Sequence, residues 1–207
     1  MSNAEKFWDK VAKKYAKTPI KNIQAYNETM EHTKNHLSEG DDVLEVGCGT
    51  GSTALLLADN VKQITASDIS SNMIDIARNK AKDQQVENVN FIQSTLFNDT
   101  LEKRSFDVIL AFNFLHLLED TPEAIRRINE LLKPEGLFIS KTVCLAEQSK
   151  LLRVLIYIME KLGFAPYVKF LRILELEEFI TNENFQIIET GVYPPSPPSR
   201  FIVARKM

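Results

Sequence analysis

Apolar and polar positions follow two periodicities along the chain: short runs typical of β-strands alternate with stretches in which apolar residues have helical spacing. Between the first five runs lie predicted helices at 52–60, 71–83 and 122–132, whose lengths suit right-handed crossovers. The strands are predicted at 43–46, 63–67, 89–93, 106–111, 136–143, 185–192 and 201–205. This pattern predicts an α/β fold: a doubly wound, Rossmann-like, mostly parallel sheet of seven strands with helices on both faces and an antiparallel last strand.

Three regions depart from this alternation of strands and helices. The first 40 residues are helical and amphipathic. After the fifth strand, helices at 147–162 and 174–182 form an insertion. The last two strands are joined by 193–198, whose four prolines predict a stiff loop between antiparallel strands.

The predicted helix at 122–132 has a recognisable start. Pro122 suits a first helical turn, with Thr121 as the expected cap of the helix.

Composition excludes several classes of protein. The 207 residues are 44% hydrophobic and 26% charged, which is typical of one globular domain spanning 1–207. A net charge of -3 without a basic block disfavours nucleic acid as a partner. Cys48 and Cys144 lie far apart, so neither a metal site nor a disulfide is expected. With no visible signal peptide or transmembrane segment, the expected location is the cytoplasm.

The strongest chemical signal is a glycine loop that follows the first strand. Gly47, Gly49 and Gly51 alternate there, and glycine lets backbone approach a ligand closely. A dinucleotide fingerprint would need glycine where Ser52 stands, so NAD binding remains the weaker alternative. Asp68 ends the second strand, where a carboxylate accepts hydrogen bonds from ribose hydroxyls, although it would also suit a helix cap.

In order and spacing, the chain resembles the class I S-adenosylmethionine-dependent methyltransferases. Four motifs carry the resemblance: Glu45-Val46-Gly47-Cys48-Gly49-Thr50-Gly51, Asp68-Ile69-Ser70 with Met73, Ser105-Phe106-Asp107-Val108-Ile109 and Leu132-Lys133-Pro134-Glu135-Gly136. The resemblance implies that residues 41–145 bind S-adenosyl-L-methionine and release S-adenosyl-L-homocysteine. It divides the rest into a helical cover (1–40), an insertion or lid (146–182) and two antiparallel strands (183–207).

The resemblance also implies roles for individual residues. Glu45 would lie near the cofactor's amino group, Gly47 and Gly49 against its backbone, Asp68 on its ribose and Ile69 on its adenine. Thr95 stands where many relatives carry an acidic residue for the adenine amino group, and Leu96 offers a backbone N–H. The remaining expected cofactor residues are Tyr15, Cys48, Gly51, Met73 and Asn113.

The expected activity is methyl transfer to a small molecule. His116 follows the fourth strand and is the candidate general base, with a histidine bonded to backbone as the alternative. The apolar stretch 147–171 predicts a lid over a hydrophobic or amphipathic acceptor, a homodimer contact, or plain core or peripheral membrane attachment. Two other functions stay open: a cofactor-binding regulatory subunit without transferase activity, and an NAD-dependent oxidoreductase.

Overall fold

The computed structural model describes residues 2–207, which build one seven-stranded sheet in the order β3-β2-β1-β4-β5-β7-β6. Strands β1 to β5 pair in parallel, and β7 runs antiparallel between β5 and β6. The strands are β1 Asp42–Val46, β2 Gln63–Asp68, β3 Val89–Gln93, β4 Phe106–Phe112, β5 Leu132–Val143, β6 Phe185–Pro195 and β7 Pro198–Lys206. The predicted α/β class and the antiparallel last strand are confirmed.

Helices cover both faces of the sheet and bury two apolar layers. One layer packs against α5 and α7, and the other against α2, α3 and α4. The helices are α1 Asn3–Lys17, α2 Ile23–Lys34, α3 Ser52–Leu57, α4 Ser71–Gln84, α5 Thr121–Leu131, α6 Lys150–Lys161 and α7 Ile173–Asn182. A 3-10 turn at Ala58–Asn60 continues α3, so the predicted helix 52–60 is α-helical only in its first part.

Strand β5 begins earlier than the predicted residue 136. Its first residue, Leu132, pairs with Phe106, and the register then shifts so that Leu137 pairs with Val108. The predicted cap of α5 is also wrong, because the carboxylate of Asp120 accepts the hydrogen bond from the Glu123 N–H. Pro122 lies in the first turn as expected, since its missing N–H is not needed there.

The prediction of a stiff loop at 193–198 is wrong. Strand β6 continues to Pro195 and β7 begins at Pro198, and these two residues pair across a tight hairpin. A proline lacks a donor but keeps its carbonyl, and the Pro198 carbonyl accepts a hydrogen bond of 2.8 Å from the Cys144 N–H. Pro198 therefore contributes to the sheet as an acceptor.

Candidate active site

A cavity of about 250 Å³ lies at the carboxyl ends of β1, β2, β3 and β4. Nine of the residues expected from the sequence line it, and they are Tyr15, Gly47, Gly49, Asp68, Ile69, Met73, Thr95, Leu96 and Asn113. Four others do not line it, namely Glu45, Cys48, Gly51 and His116. The position fits the rule that ligands of open α/β sheets bind beyond the carboxyl ends of the strands.

The glycine loop turns sharply between β1 and α3, and all three glycines have positive φ, from +53° to +74°. A side chain at Gly49 would meet one atom within 4 Å, Cε1 of Tyr15 at 3.9 Å. A side chain at Gly47 would instead meet the Phe114 ring at 2.5 Å. Gly49 is therefore the position where backbone is open to the cavity.

Gly51 has a structural role in this loop rather than a place in the cavity. A Cβ there would lie 2.6 Å from the Phe91 ring and 2.8 Å from Ala77. Cys48 is also buried, and its carbonyl accepts the Gly51 N–H. Gly51 thus lets the loop pack closely on α4 and β3, while the Cys48 N–H donates to the Ser67 carbonyl of β2 at 3.0 Å.

Replacing Gly51 by alanine is expected to lower the free energy of unfolding by about 2 to 4 kcal/mol, from overpacking and from the positive φ. Gly163 is the matched control, because its φ of +71° is similar and nothing lies within 4 Å of its Cβ position. Urea unfolding of both variants measures the difference. Equal losses of stability would show that the contact with Phe91 is unimportant.

Asp68 connects the glycine loop to the next turn. Its Oδ2 accepts a hydrogen bond of 2.9 Å from the Gly49 N–H, and its Oδ1 accepts one of 2.9 Å from the Ser70 N–H. Burial raises the pKa of the carboxyl, while these two bonds oppose the shift. The cap of α4 is Ser70, whose hydroxyl accepts from the Met73 N–H, so Asp68 does not cap that helix.

Glu45 is a buried carboxyl directly behind the loop. Only 3% of it is exposed, and its Oε2 has no hydrogen-bond partner. Burial raises the pKa of Glu45 to about 8, and the charge of Asp68 adds to the shift. An unpartnered buried carboxyl oxygen calls for a donor or a cation from outside the protein.

Helix α1 covers the cavity with aromatic side chains. Trp8 and Tyr15 both line it and stack edge to face, with ring centroids 6.2 Å apart. Burial, followed by the charges of Asp68 and Glu45, raises the pKa of the Tyr15 hydroxyl. The Tyr15 hydroxyl therefore stays protonated near neutral pH and available as a donor.

Asn113 directly follows β4 and has a positive φ of 54°. Its N–H donates to the Lys141 carbonyl at 2.7 Å, which ties the loop after β4 to β5.

The cavity wall next to Asn113 is apolar. The sequence assigned no site role to these further lining residues: Ala4, Val46, Ser67, Ser94, Phe97, Phe112, Phe114, Leu117 and Leu118. Several directly follow β3 or β4, and that position was the available signal.

His116 lies in a 3-10 turn at Leu115–Leu117, between residues that do line the cavity. Its Nδ1 is buried and has no hydrogen-bond partner, so the expected side-chain bond to backbone is absent at this atom. Burial lowers the pKa of His116 to about 4. The ring is therefore neutral at physiological pH, and its role as a base stays a prediction.

Two general features of the described part of the chain bear on the site. Within residues 2–207, no group of three or more His, Cys, Asp or Glu side chains is arranged to hold a metal ion. Over the same residues, no helix combines the length and the apolar character needed to cross a membrane.

Comparisons with known proteins identify the family. A family model described as "Methyltransferase domain" matches residues 37–163. The chain is 29% identical over 188 residues to the ubiquinone biosynthesis O-methyltransferase of Rickettsia akari (strain Hartford), covering 86% of this chain and 72% of that protein. It is 30% identical over 173 residues to the protein of the same name from Rickettsia bellii (strain OSU 85-389), covering 79% and 70%.

A solved structure has the same fold. Geranyl diphosphate C-methyltransferase from Streptomyces coelicolor A3(2), in complex with Mg2+, geranyl diphosphate and S-adenosyl-L-homocysteine, superposes with a TM-score of 0.75 at 12% identity. The superposition covers 88% of this chain and 79% of that one. With the family model and the sequence relatives, these matches show that the chain belongs to the methyltransferase family and is a class I S-adenosylmethionine-dependent methyltransferase.

Proposed function

We propose that this enzyme transfers a methyl group to an oxygen of a small, uncharged, hydrophobic or amphipathic acceptor. The observation that carries the proposal is the cavity wall, in which Asp68 is the one charged residue among the described lining residues. Much of the remaining wall is built from aromatic and aliphatic side chains, namely Phe97, Phe112, Phe114, Leu117 and Leu118. The sequence relatives named ubiquinone biosynthesis O-methyltransferase support oxygen as the methylated atom.

The residues around the cavity fit S-adenosylmethionine, which supplies a methyl group on a positively charged sulfur. Glu45 has a carboxyl oxygen without a partner and would hold the cofactor's amino group. Each oxygen of Asp68 accepts one N–H and keeps a further lone pair, so this carboxylate would also accept the ribose hydroxyls. Ile69, Met73 and Leu96 would enclose the adenine.

Two further expected residues complete this proposed cofactor site. Thr95 lines the cavity after β3 and would accept from the adenine amino group through its hydroxyl. Asn113 would contact the cofactor through its backbone. Cys48 and Gly51 lie outside the cavity and would act by fixing the path of the loop.

Alignment of donor and acceptor is the main task of the protein in a methyl displacement, and positioning alone contributes roughly 7 to 11 kcal/mol to such reactions. Trp8 and Tyr15 would cover the bound cofactor above the loop, while Phe97 and Phe114 would present an apolar surface to the acceptor. An acceptor carrying a full charge would lose hydration against this wall without gaining an ion pair.

A matched pair of acceptors tests the proposal. A phenol with an alkyl tail and the same ring bearing a carboxylate differ mainly in charge. The expected result is methylation of the alkyl phenol, with a kcat/KM at least 100-fold above that of the carboxylate. Preference for the carboxylate would contradict the proposal.

His116 is expected to matter for turnover rather than for cofactor binding. Replacement by alanine should lower kcat by about 100-fold if the ring accepts the proton from the acceptor hydroxyl. The affinity for S-adenosylhomocysteine, measured by calorimetry, should stay within twofold. Unchanged turnover would leave His116 a purely structural residue.

None of the described side chains of helix α6 lines the cavity, and its role as a lid over the acceptor stays a prediction. Leu152, Ile156 and Met159 are half-buried at helical spacing and face the domain. The other face is apolar and exposed, with 79% of Leu151 and 63% of Leu162 accessible. We propose this exposed face, which also carries Val154, Leu155 and Ile158, as a homodimer contact or a peripheral membrane contact.

Changing Val154 and Leu155 to serine is expected to remove this contact while leaving turnover on a water-soluble acceptor unchanged. Sedimentation velocity reports dimer loss, and flotation with anionic phospholipid vesicles reports loss of membrane binding. Leu174→Ser is the matched control, because Leu174 is 71% exposed on α7. If the wild type neither dimerises nor binds vesicles, the contact surface is refuted.

A further inference from the structure

Helix α1 lies over the cavity along a single face. Ala4, Trp8 and Tyr15 line the cavity from this face, and Ala12 beside them is fully buried. The segment that joins α1 to α2, residues 18–22, is exposed throughout. The position of α1 therefore depends on the contacts it makes with the rest of the domain.

Asp9 makes the most concentrated of these contacts. Its Oδ1 accepts hydrogen bonds from the Ser70 hydroxyl at 2.6 Å and from the Asn72 N–H at 3.1 Å. Its backbone carbonyl accepts from the Asn72 side-chain amide at 3.1 Å. The carboxylate meets the first turn of α4, where helix N–H groups lack partners and the helix dipole favours negative charge.

Ser70 links this contact to the cavity. Its hydroxyl donates to Asp9, and its N–H donates to Oδ1 of Asp68 at 2.9 Å. The other oxygen of Asp68 accepts the N–H of Gly49. A continuous chain of hydrogen bonds thus runs from the covering helix to the glycine loop.

We propose that Asp9 is a positioning residue that latches α1 over the bound cofactor and couples this closure to the turn that carries Asp68. The proposal rests on the cofactor site proposed above. With the latch formed, Trp8 and Tyr15 cover the cavity, and the cofactor leaves when α1 lifts. Loss of the latch therefore accelerates dissociation more than it slows association.

The test uses the full chain and its single tryptophan, Trp8, which lies on α1 and reports on the helix directly. Asp9→Ala removes the oxygen that accepts hydrogen bonds from both the Ser70 hydroxyl and the Asn72 N–H. The expected result is a dissociation rate of S-adenosylhomocysteine at least tenfold faster, with an association rate within twofold of wild type. Acrylamide should also quench Trp8 more strongly in the variant, while the unfolding midpoint stays within about 2 °C.

Two further variants sharpen the result. Asn72→Ala removes one bond to α1 and should raise the dissociation rate by a smaller factor. Asp75→Ala is the matched control on α4, since the Asp75 side chain is 69% exposed and lies 3.8 Å from Arg78. It should leave dissociation and quenching unchanged.

Unchanged dissociation in Asp9→Ala would overturn the latch. Faster dissociation without any change in Trp8 quenching would overturn it too, because Asp9 would then act through α4 rather than through the covering helix. In both cases the wild type still binds the cofactor, so the proposed site stands. Failure of the wild type to bind S-adenosylhomocysteine would instead refute the proposed site.

Discussion

Replacing Gly49 by valine is expected to abolish binding of S-adenosylhomocysteine, with a loss of affinity of at least 1,000-fold. The open space beside Gly49 is the cavity itself, since the one protein atom near a Cβ at this position is Cε1 of Tyr15, at 3.9 Å. The folded protein can therefore accommodate the side chain, but the isopropyl group occupies volume that the ligand needs. Isothermal titration calorimetry measures the loss.

Gly163→Val is the matched control for this experiment. Gly163 has a φ of +71°, against +53° at Gly49, and nothing lies within 4 Å of its Cβ position. Both valines should therefore destabilise the fold by a similar amount, about 1 to 3 kcal/mol, but only Gly49→Val should lose the ligand. Affinity in Gly49→Val within threefold of wild type would remove this loop from the site.

Glu45→Gln is expected to stabilise the ligand-free protein while weakening cofactor binding. Burial raises the pKa of Glu45 from 4.5 to about 8, so between these values the folded state keeps a proton that the unfolded state loses. The stability of the wild type therefore falls as pH rises from 4.5 to 8, and the penalty is complete above pH 8. At pH 9 the variant should be more stable by about 2 to 4 kcal/mol, with little difference at pH 4.

Cofactor binding should also depend on the protonation state of the Glu45 carboxyl. At pH 7 the free enzyme holds Glu45 mostly protonated, and a cationic amino group favours the ionised form, so binding releases close to one proton. Calorimetry in two buffers of different ionisation enthalpy measures this release. Glu45→Gln should release none and bind about 10- to 150-fold more weakly, the range for a hydrogen bond to a charged group.

Glu87→Gln is the control for the loss of a carboxyl group, because Glu87 is exposed in the segment between α4 and β3. It should bind and unfold like the wild type. Equal proton release by the wild type and Glu45→Gln would mean that the Glu45 carboxyl does not face the cofactor.

The sheet could be predicted from the sequence because its central strands are buried on both faces. Runs such as 43–46 and 106–111 are mainly apolar, each with one acidic residue, Glu45 and Asp107, and the helices between them have the length that a parallel crossover requires. The hairpin at Pro195 and Pro198 could not be predicted, because prolines lack the donor of a regular ladder and therefore argue against a strand that continues up to the turn. The early start of β5 depends on a register shift that is equally invisible in the pattern.

The polar half of the candidate site could be predicted from the sequence. Alternating glycines after one strand and a carboxylate at the end of the next form a pattern that is typical of few kinds of binding site. The apolar half could not be predicted, since Phe97, Phe114 and Leu118 are residue types that also form ordinary hydrophobic cores. The sequence leaves the role of α6 open for a related reason. An apolar helix must be covered, but its sequence does not say whether the cover is the enzyme's own cavity or another surface.

A crystal structure of the wild-type enzyme with S-adenosylhomocysteine tests the central claim most directly. The account predicts the ligand in the cavity beside Gly49, with its amino group about 3 Å from the free Glu45 oxygen and its ribose hydroxyls on Asp68. Helix α1 should remain closed over it, with Asp9 bonded to Ser70. A ligand bound elsewhere, or one that leaves the Glu45 oxygen without a partner, would contradict the account.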